Sequence, residues 1–152
     1  MTQNDYTLNL FDTLKLLDDS VYWLKRSYNI CNEIGVKDQY SEREYDAFET
    51  LTSRYARGSD LIIQKVFKSI DKVEFEEQGT FIDVINRAHK RGFFESVEKI
   101  REIRELRNEI THEYANNNLR DIFKSVLRFT PELFKIIENI KKYCERYKTG
   151  EA

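Results

Sequence analysis

The chemistry open to this 152-residue chain is concentrated in one late run, Arg104-Glu105-Leu106-Arg107-Asn108-Glu109-Ile110-Thr111-His112-Glu113-Tyr114. An imidazole titrates near neutral pH and can take or give a proton, whereas a guanidinium is a permanent forked cation suited to phosphate. His112 and Arg107 are therefore the candidate acid–base group and the candidate anion holder. Elsewhere there is no phosphate-cradling glycine loop and no Gly-x-Ser-x-Gly turn, and the carboxylates are scattered as solvated helix faces would have them. A zinc site would need both histidines, His89 and His112, plus the distant Cys31 and Cys144, at no recognisable ligand spacing. Neither a metal nor a cofactor is expected.

At about 100° per residue, Ile100, Ile103, Leu106 and Ile110 form the inward stripe of a helix, and Arg107 and Tyr114 fall within about 40° of its centre. A cation on the buried side needs either a carboxylate from another helix or a cleft that keeps it wet. Asn108 and His112 share a face about 140° from the line of Arg107 and Tyr114. An ideal helix does not by itself bring Arg107 to His112. They converge if the helix ends near Thr111, if the arginine reaches around the helix, or if a second subunit supplies the missing partner.

The elements that must position this run read as helices. Leu10, Leu14, Leu17, Val21, Leu24, Tyr28 and Cys31 recur in steps of four and three, a bundle or coiled-coil seam. A polar stretch from Asn32 to Tyr40 follows, and Ser41 with Glu44 reads as a capping box. The next stripe is Tyr45, Phe48, Leu51, Tyr55, Ile62, Val66 and Ile70, interrupted by Gly58, where close helix approach is the simplest reason for a glycine. The acidic residues 71–80 suit a surface loop. Thr80 caps a short helix from Phe81 to about Arg91, with Gly92 as its stop. The run of interest lies on a helix from about Ser96 toward Tyr114, broken by Asn116, Asn117 and Asn118. A last helix begins near Leu119, and Thr130-Pro131 either restarts or kinks it.

Composition agrees with that reading. Five glycines and one proline are about a third of ordinary usage, too few for a turn-rich β-sandwich or barrel. Charged residues reach 34% while hydrophobic ones hold at 40%, which fits one packed, soluble domain over 1–152. Formal charge is −2, with no electrostatic footprint of a nonspecific nucleic-acid coat. The distribution is uneven. Residues 1–50 carry 5 Lys/Arg against 10 Asp/Glu, and residues 87–148 carry 15 against 10, so an anion site belongs in the second half. No apolar run approaches the ~20 residues a bilayer needs, and a reduced cytoplasmic setting is the simplest one for the two cysteines.

The string Arg107-Asn108-Glu109-Ile110-Thr111-His112-Glu113-Tyr114 resembles the Arg-x4-His-x-Tyr signature of HEPN domains, and further resembles the HEPN toxins paired with minimal nucleotidyltransferase (MNT) antitoxins. The resemblance implies an all-α, up-down bundle of about five helices acting as a homodimer, with Arg and His of two protomers lining one cleft. It implies a metal-independent endoribonuclease for tRNA or mRNA, with Arg107 and His112 catalytic. Asn108 would orient His112 or hydrogen-bond the phosphate, and Arg104 would hold the RNA backbone. Tyr114 would be the acceptor of AMP from the MNT partner. Glu113 departs from the pattern, placing a carboxylate that would raise the histidine pKa or repel RNA. Two other readings stand beside this one: a noncatalytic HEPN subunit that binds substrate for, or assembles with, a nucleotidyltransferase, and a helical interaction module using the seam of residues 10–31.

Overall fold

The structure, a computed structural model, describes residues 1–112 and 119–148. Helix α1 spans Gln3–Ile34 and α2 spans Glu42–Asp60. A π-helical turn, Leu61–Val66, joins α2 without a break to α3, Phe67–Val73. Helices α4 (Phe81–Lys90), α5 (Val97–His112) and α6 (Leu119–Lys148) follow. Counting the rod from Glu42 to Val73 as one unit gives five helical rods, and there is no strand among the described residues.

Three of the rods start where side chains satisfy the first free backbone N–H groups. Thr2 with Asp5, Ser41 with Glu44 and Thr80 with Asp83 all form capping boxes, and the first of these was not foreseen. Gly92 ends the short α4 region at φ +84°, as its position suggested. The seam of α1 is spent within the chain: Leu10, Leu17, Leu24 and Cys31 are buried, with Leu14, Val21 and Tyr28 packed at the margin of the same core. It is therefore not available as an oligomer seam.

One expectation needs correction, and one open alternative is decided. The loop expected at 71–80 begins only after Val73, and Asp71 is fully buried. Its carboxylate accepts from Arg87 Nη2 at 3.0 Å and Arg91 Nη1 at 2.7 Å. Two cations, Arg87 of α4 and Arg91 just after it, offset the cost of removing that charge from water, which composition alone cannot reveal. At Thr130-Pro131 the chain does not restart: α6 is one helix with Pro131 inside it, and Thr130 donates to Val126 O at 2.7 Å. Apolar burial on both sides of the proline, by Phe123 and Val126 before it and Leu133 and Ile137 after it, outweighs the roughly 3 kcal/mol of a lost helical bond.

Aromatic rings set the spacing between rods. Phe48 of α2 stacks on Phe123 of α6 at 4.9 Å, and Phe67 of α3 stacks on Phe93 at 5.8 Å. The buried Tyr55 hydroxyl donates to Ile103 O at 3.2 Å, which ties α2 to the helix carrying the site. Gly58 faces Ser20 and Leu24 of α1, but an added Cβ would lie 3.6 Å and 3.8 Å from them, at ordinary contact. The glycine permits the approach of α1 and α2 without being strictly required for it.

Candidate functional site

The inward stripe of α5 is as expected, with Ile100, Ile103, Leu106 and Ile110 all buried. Arg107 lies at its margin and is half-buried. Both alternatives for this cation hold together: it has a carboxylate partner and also faces a wet cleft. Nε and Nη2 each donate to one oxygen of Asp60 at 2.8 Å, in a two-pronged pair, and Nη1 donates to Thr111 Oγ1 at 3.2 Å. The hydrogen bonds that Arg107 donates to Asp60 push the arginine pKa further up, so the group stays cationic. The pair remains in contact with water, with side chains 32% and 42% exposed.

Asp60 is the residue that sequence reasoning missed. It ends α2 at the point where the rod widens into the π-helical turn, in which Phe67 N–H bonds to Ile62 O five residues back. Such single turns are enriched at functional sites. The extra residue per turn places Ile62, Ile63, Val66 and Phe67 all in the core while Asp60 is held toward α5. The requirement for a cross-helix carboxylate was legible from Arg107; which of 27 acidic residues would meet it was not.

A cleft of about 370 Å³ lies over the pair, lined by Ser59, Asp60, Ile63 and Gln64 on one wall and Arg104, Arg107 and Asn108 on the other. Arg104, exposed, lays its guanidinium 4.1 Å from the Phe81 ring centroid. Asn108 was expected on the far face from Arg107; it lines the same cleft, because it continues the line of Arg104 one turn on. His112, at the end of α5, is exposed and one further turn along that ridge, outside the cleft lining. Within one chain the imidazole and the Arg107 guanidinium are thus neighbours on one helix end without sharing one cavity. Tyr114, Glu113 and the Asn116, Asn117, Asn118 break lie outside the described residues.

The chemistry of the cleft is cationic and polar. Two guanidiniums and two amides line the opening, and its one carboxylate is already engaged by Arg107. That combination suits a phosphate-bearing ligand. Among the described residues, no group of three His, Cys, Asp or Glu side chains is placed to hold a metal ion, and no helix is long and apolar enough to cross a membrane. Cys31 and Cys144 are free and buried, and burial pushes their thiols up to about 11 and about 12 respectively. Neither is a ready nucleophile.

Fold and site together define the class at a coarse level: an all-α bundle bearing a solvated arginine cleft on its fourth rod, α5. Comparison of the chain with family models, with curated proteins and with solved structures gives no match.

Proposed function

We propose that this protein is a metal-independent endoribonuclease of HEPN type, a toxin acting as a homodimer and silenced by an MNT nucleotidyltransferase antitoxin. The observation carrying the proposal is the cleft in which Arg107, held by Asp60, opens to solvent beside Arg104 and Asn108, with exposed His112 on the same ridge. In a dimer about this end of α5, the partner subunit brings the imidazole that the cleft of one chain lacks.

RNA contains its own nucleophile. An imidazole of the His112 pair takes the proton from a 2′-hydroxyl, that oxygen attacks the adjacent phosphorus, and the bond from phosphorus to the 5′-oxygen breaks. The same imidazole, now protonated, returns the proton to the leaving oxygen, giving a 2′,3′-cyclic phosphate and a 5′-hydroxyl. Arg107 offsets the charge that grows on the phosphorane oxygens, while Arg104 and Asn108 hold the phosphate and the imidazole in place. The antitoxin step follows the same electrostatics. The Tyr114 phenol attacks the α-phosphorus of ATP, pyrophosphate leaves, and the attached AMP competes with RNA for these cations.

The test is cleavage of total RNA by purified protein in the presence of EDTA, with Arg107→Ala and His112→Ala variants shown by circular dichroism to fold. Cleavage ends carrying 2′,3′-cyclic phosphate, reduced about 10²- to 10⁴-fold in each variant, are expected. Wild-type activity in both variants removes the proposal. The two-pronged engagement of Arg107 by Asp60 favours one other reading, a noncatalytic subunit that assembles with a nucleotidyltransferase and in which Arg107 is structural. Tight binding to a nucleotidyltransferase with no RNA cleavage is its signature.

A further inference from the structure

A second, larger groove of about 700 Å³ runs between α1 and the rod of α2, and it meets the Arg107 cleft at Asp60 and Gln64, which line both. Its α1 wall presents Leu16, 53% exposed, and Trp23, 48% exposed, seven residues apart and so on one face of the helix. Scattered exposed apolar side chains need no explanation. Two on one face, opposite Leu61 across a groove, do.

The cations of the groove indicate what covers it. Arg54 lies 5.2 Å from the Trp23 ring and is pinned there by Nη1, which donates to Ser27 Oγ at 2.6 Å and to Trp23 O at 3.1 Å. Those partners are neutral, so the Arg54 charge is uncompensated. Arg57 and Lys65 are exposed and make no ion pair among the described residues. Against these three stand Asp19 and Asp60, and Asp60 is engaged by Arg107. The lining is thus apolar with an excess of positive charge, inside a protein whose net charge is negative.

We infer that this groove is the track for the single-stranded flank of an RNA substrate, with an unpaired base against Trp23 and Arg54 and the neighbouring phosphates on Arg57 and Lys65. A flat apolar face and a phosphate charge in regular alternation match an indole and cations placed side by side. A duplex keeps its base faces stacked inside and cannot use the indole. The inference rests on the nuclease reading, because the groove leads to the Arg107 cleft, and it adds where the strand lies and that it must be unpaired.

Trp23 is the only tryptophan in the chain, so its emission reports on this groove alone. The experiment titrates the full-length protein with a 2′-O-methyl octanucleotide, uncleavable because the attacking hydroxyl is blocked. Saturable quenching is expected, weakening as salt rises. With a dye-labelled octanucleotide followed by anisotropy, Trp23→Ala and the Arg57→Ala/Lys65→Ala pair each bind about tenfold more weakly. Cleavage of RNA without quenching by the octanucleotide overturns the groove and leaves the nuclease standing. Quenching without cleavage supports the groove as a strand-binding track and overturns the nuclease. Equal quenching by duplex RNA, or by AMP alone at the same concentration, overturns the single-strand assignment. A change in Trp23 emission with protein concentration and no oligonucleotide shows a second copy in the groove and overturns it as well.

Discussion

The Arg107 guanidinium and the Asp60 carboxylate meet edge to edge, 47 residues apart in sequence, through two bonds of 2.8 Å each. The pair fixes the plane and reach of the cation while about a third of it stays open to water. Orienting a cation for phosphate, the role proposed for Arg107, is a different task from stabilising the fold, and the two can be told apart by mutation.

Asp60→Ala is expected to change stability by no more than about 1 kcal/mol, as for other half-exposed pairs, while lowering RNA cleavage mainly through kcat. Urea denaturation and steady-state cleavage measured on the same preparation check this. Asp60→Glu is expected to recover part of the rate. A loss of several kcal/mol with unaltered cleavage would make the pair purely structural.

Arg107→Ala and His112→Ala proteins, each inactive alone, are expected to regain activity when refolded together. In the proposed dimer, the mixture gives one cleft with an intact guanidinium from one protomer and an intact imidazole from the other. Persistent inactivity of the mixture, with mixed dimers demonstrated by mass, would place both groups of a working site on one chain.

Asp71→Ala is expected to cost about 3 kcal/mol or more, among the largest single losses in the protein. Removing this buried carboxylate strands Arg87 and Arg91, of which Arg91 also binds Glu74 Oε1 through Nε and Nη2 at 3.2 Å and 3.0 Å. Glu74 in turn accepts from the Tyr143 and Tyr147 hydroxyls, so α3, α4 and α6 loosen together. The thermal midpoint of the variant reads the effect. Asp12→Ala, exposed on α1, serves as the control and should fall within about 0.5 kcal/mol of wild type.

Stability is expected to fall as pH drops below about 4.5. Burial pushes the Glu74 carboxyl up, but hydrogen bonds from Tyr143, Tyr147 and Arg91 outweigh it and hold the group below its ordinary value of 4.5. The backbone N–H groups of Thr2 and Thr80 hold Asp5 and Asp83 below 3.8, and Lys37 together with the Ser41 N–H holds Glu44 below its ordinary 4.5. A carboxylate whose pKa is lower folded than unfolded contributes stability above its unfolded pKa and loses it as the folded value is crossed. Urea midpoints between pH 7 and pH 3 check the sign. A midpoint that rises on acidification would contradict it.

Gly58→Ala should be neutral or should stabilise the protein by up to about 1 kcal/mol, because the new Cβ meets Ser20 and Leu24 at ordinary contact while the helix gains a better former. Marked destabilisation in a urea melt would mean that α1 and α2 must approach more closely than they do here.

Much of the architecture was legible because helices announce themselves locally. The stripes of α1 and α2, the capping box at Ser41, the cap at Thr80 and the stop at Gly92 depend on residues within a turn or two of one another. The π-helical turn at Leu61–Val66 was not legible, because its residues suit an ordinary helix and only packing favours the extra residue. The same is true of Asp71, one acid among many in a segment that looks like a solvated loop.

The sequence by itself determined that the chain is helical, where most rods begin, and that Arg107 would need a carboxylate or water. Periodicity and capping are short-range, and a cation on an apolar stripe is a conflict visible in one dimension. The tertiary structure decided that Asp60 answers that need, that Asn108 shares the Arg107 cleft while His112 lies beyond it, and that Trp23 and Arg54 wall a groove leading to it. Those relationships join residues tens of positions apart, and which of many chemically equivalent side chains meet is set by how the rods pack, information that no local pattern carries.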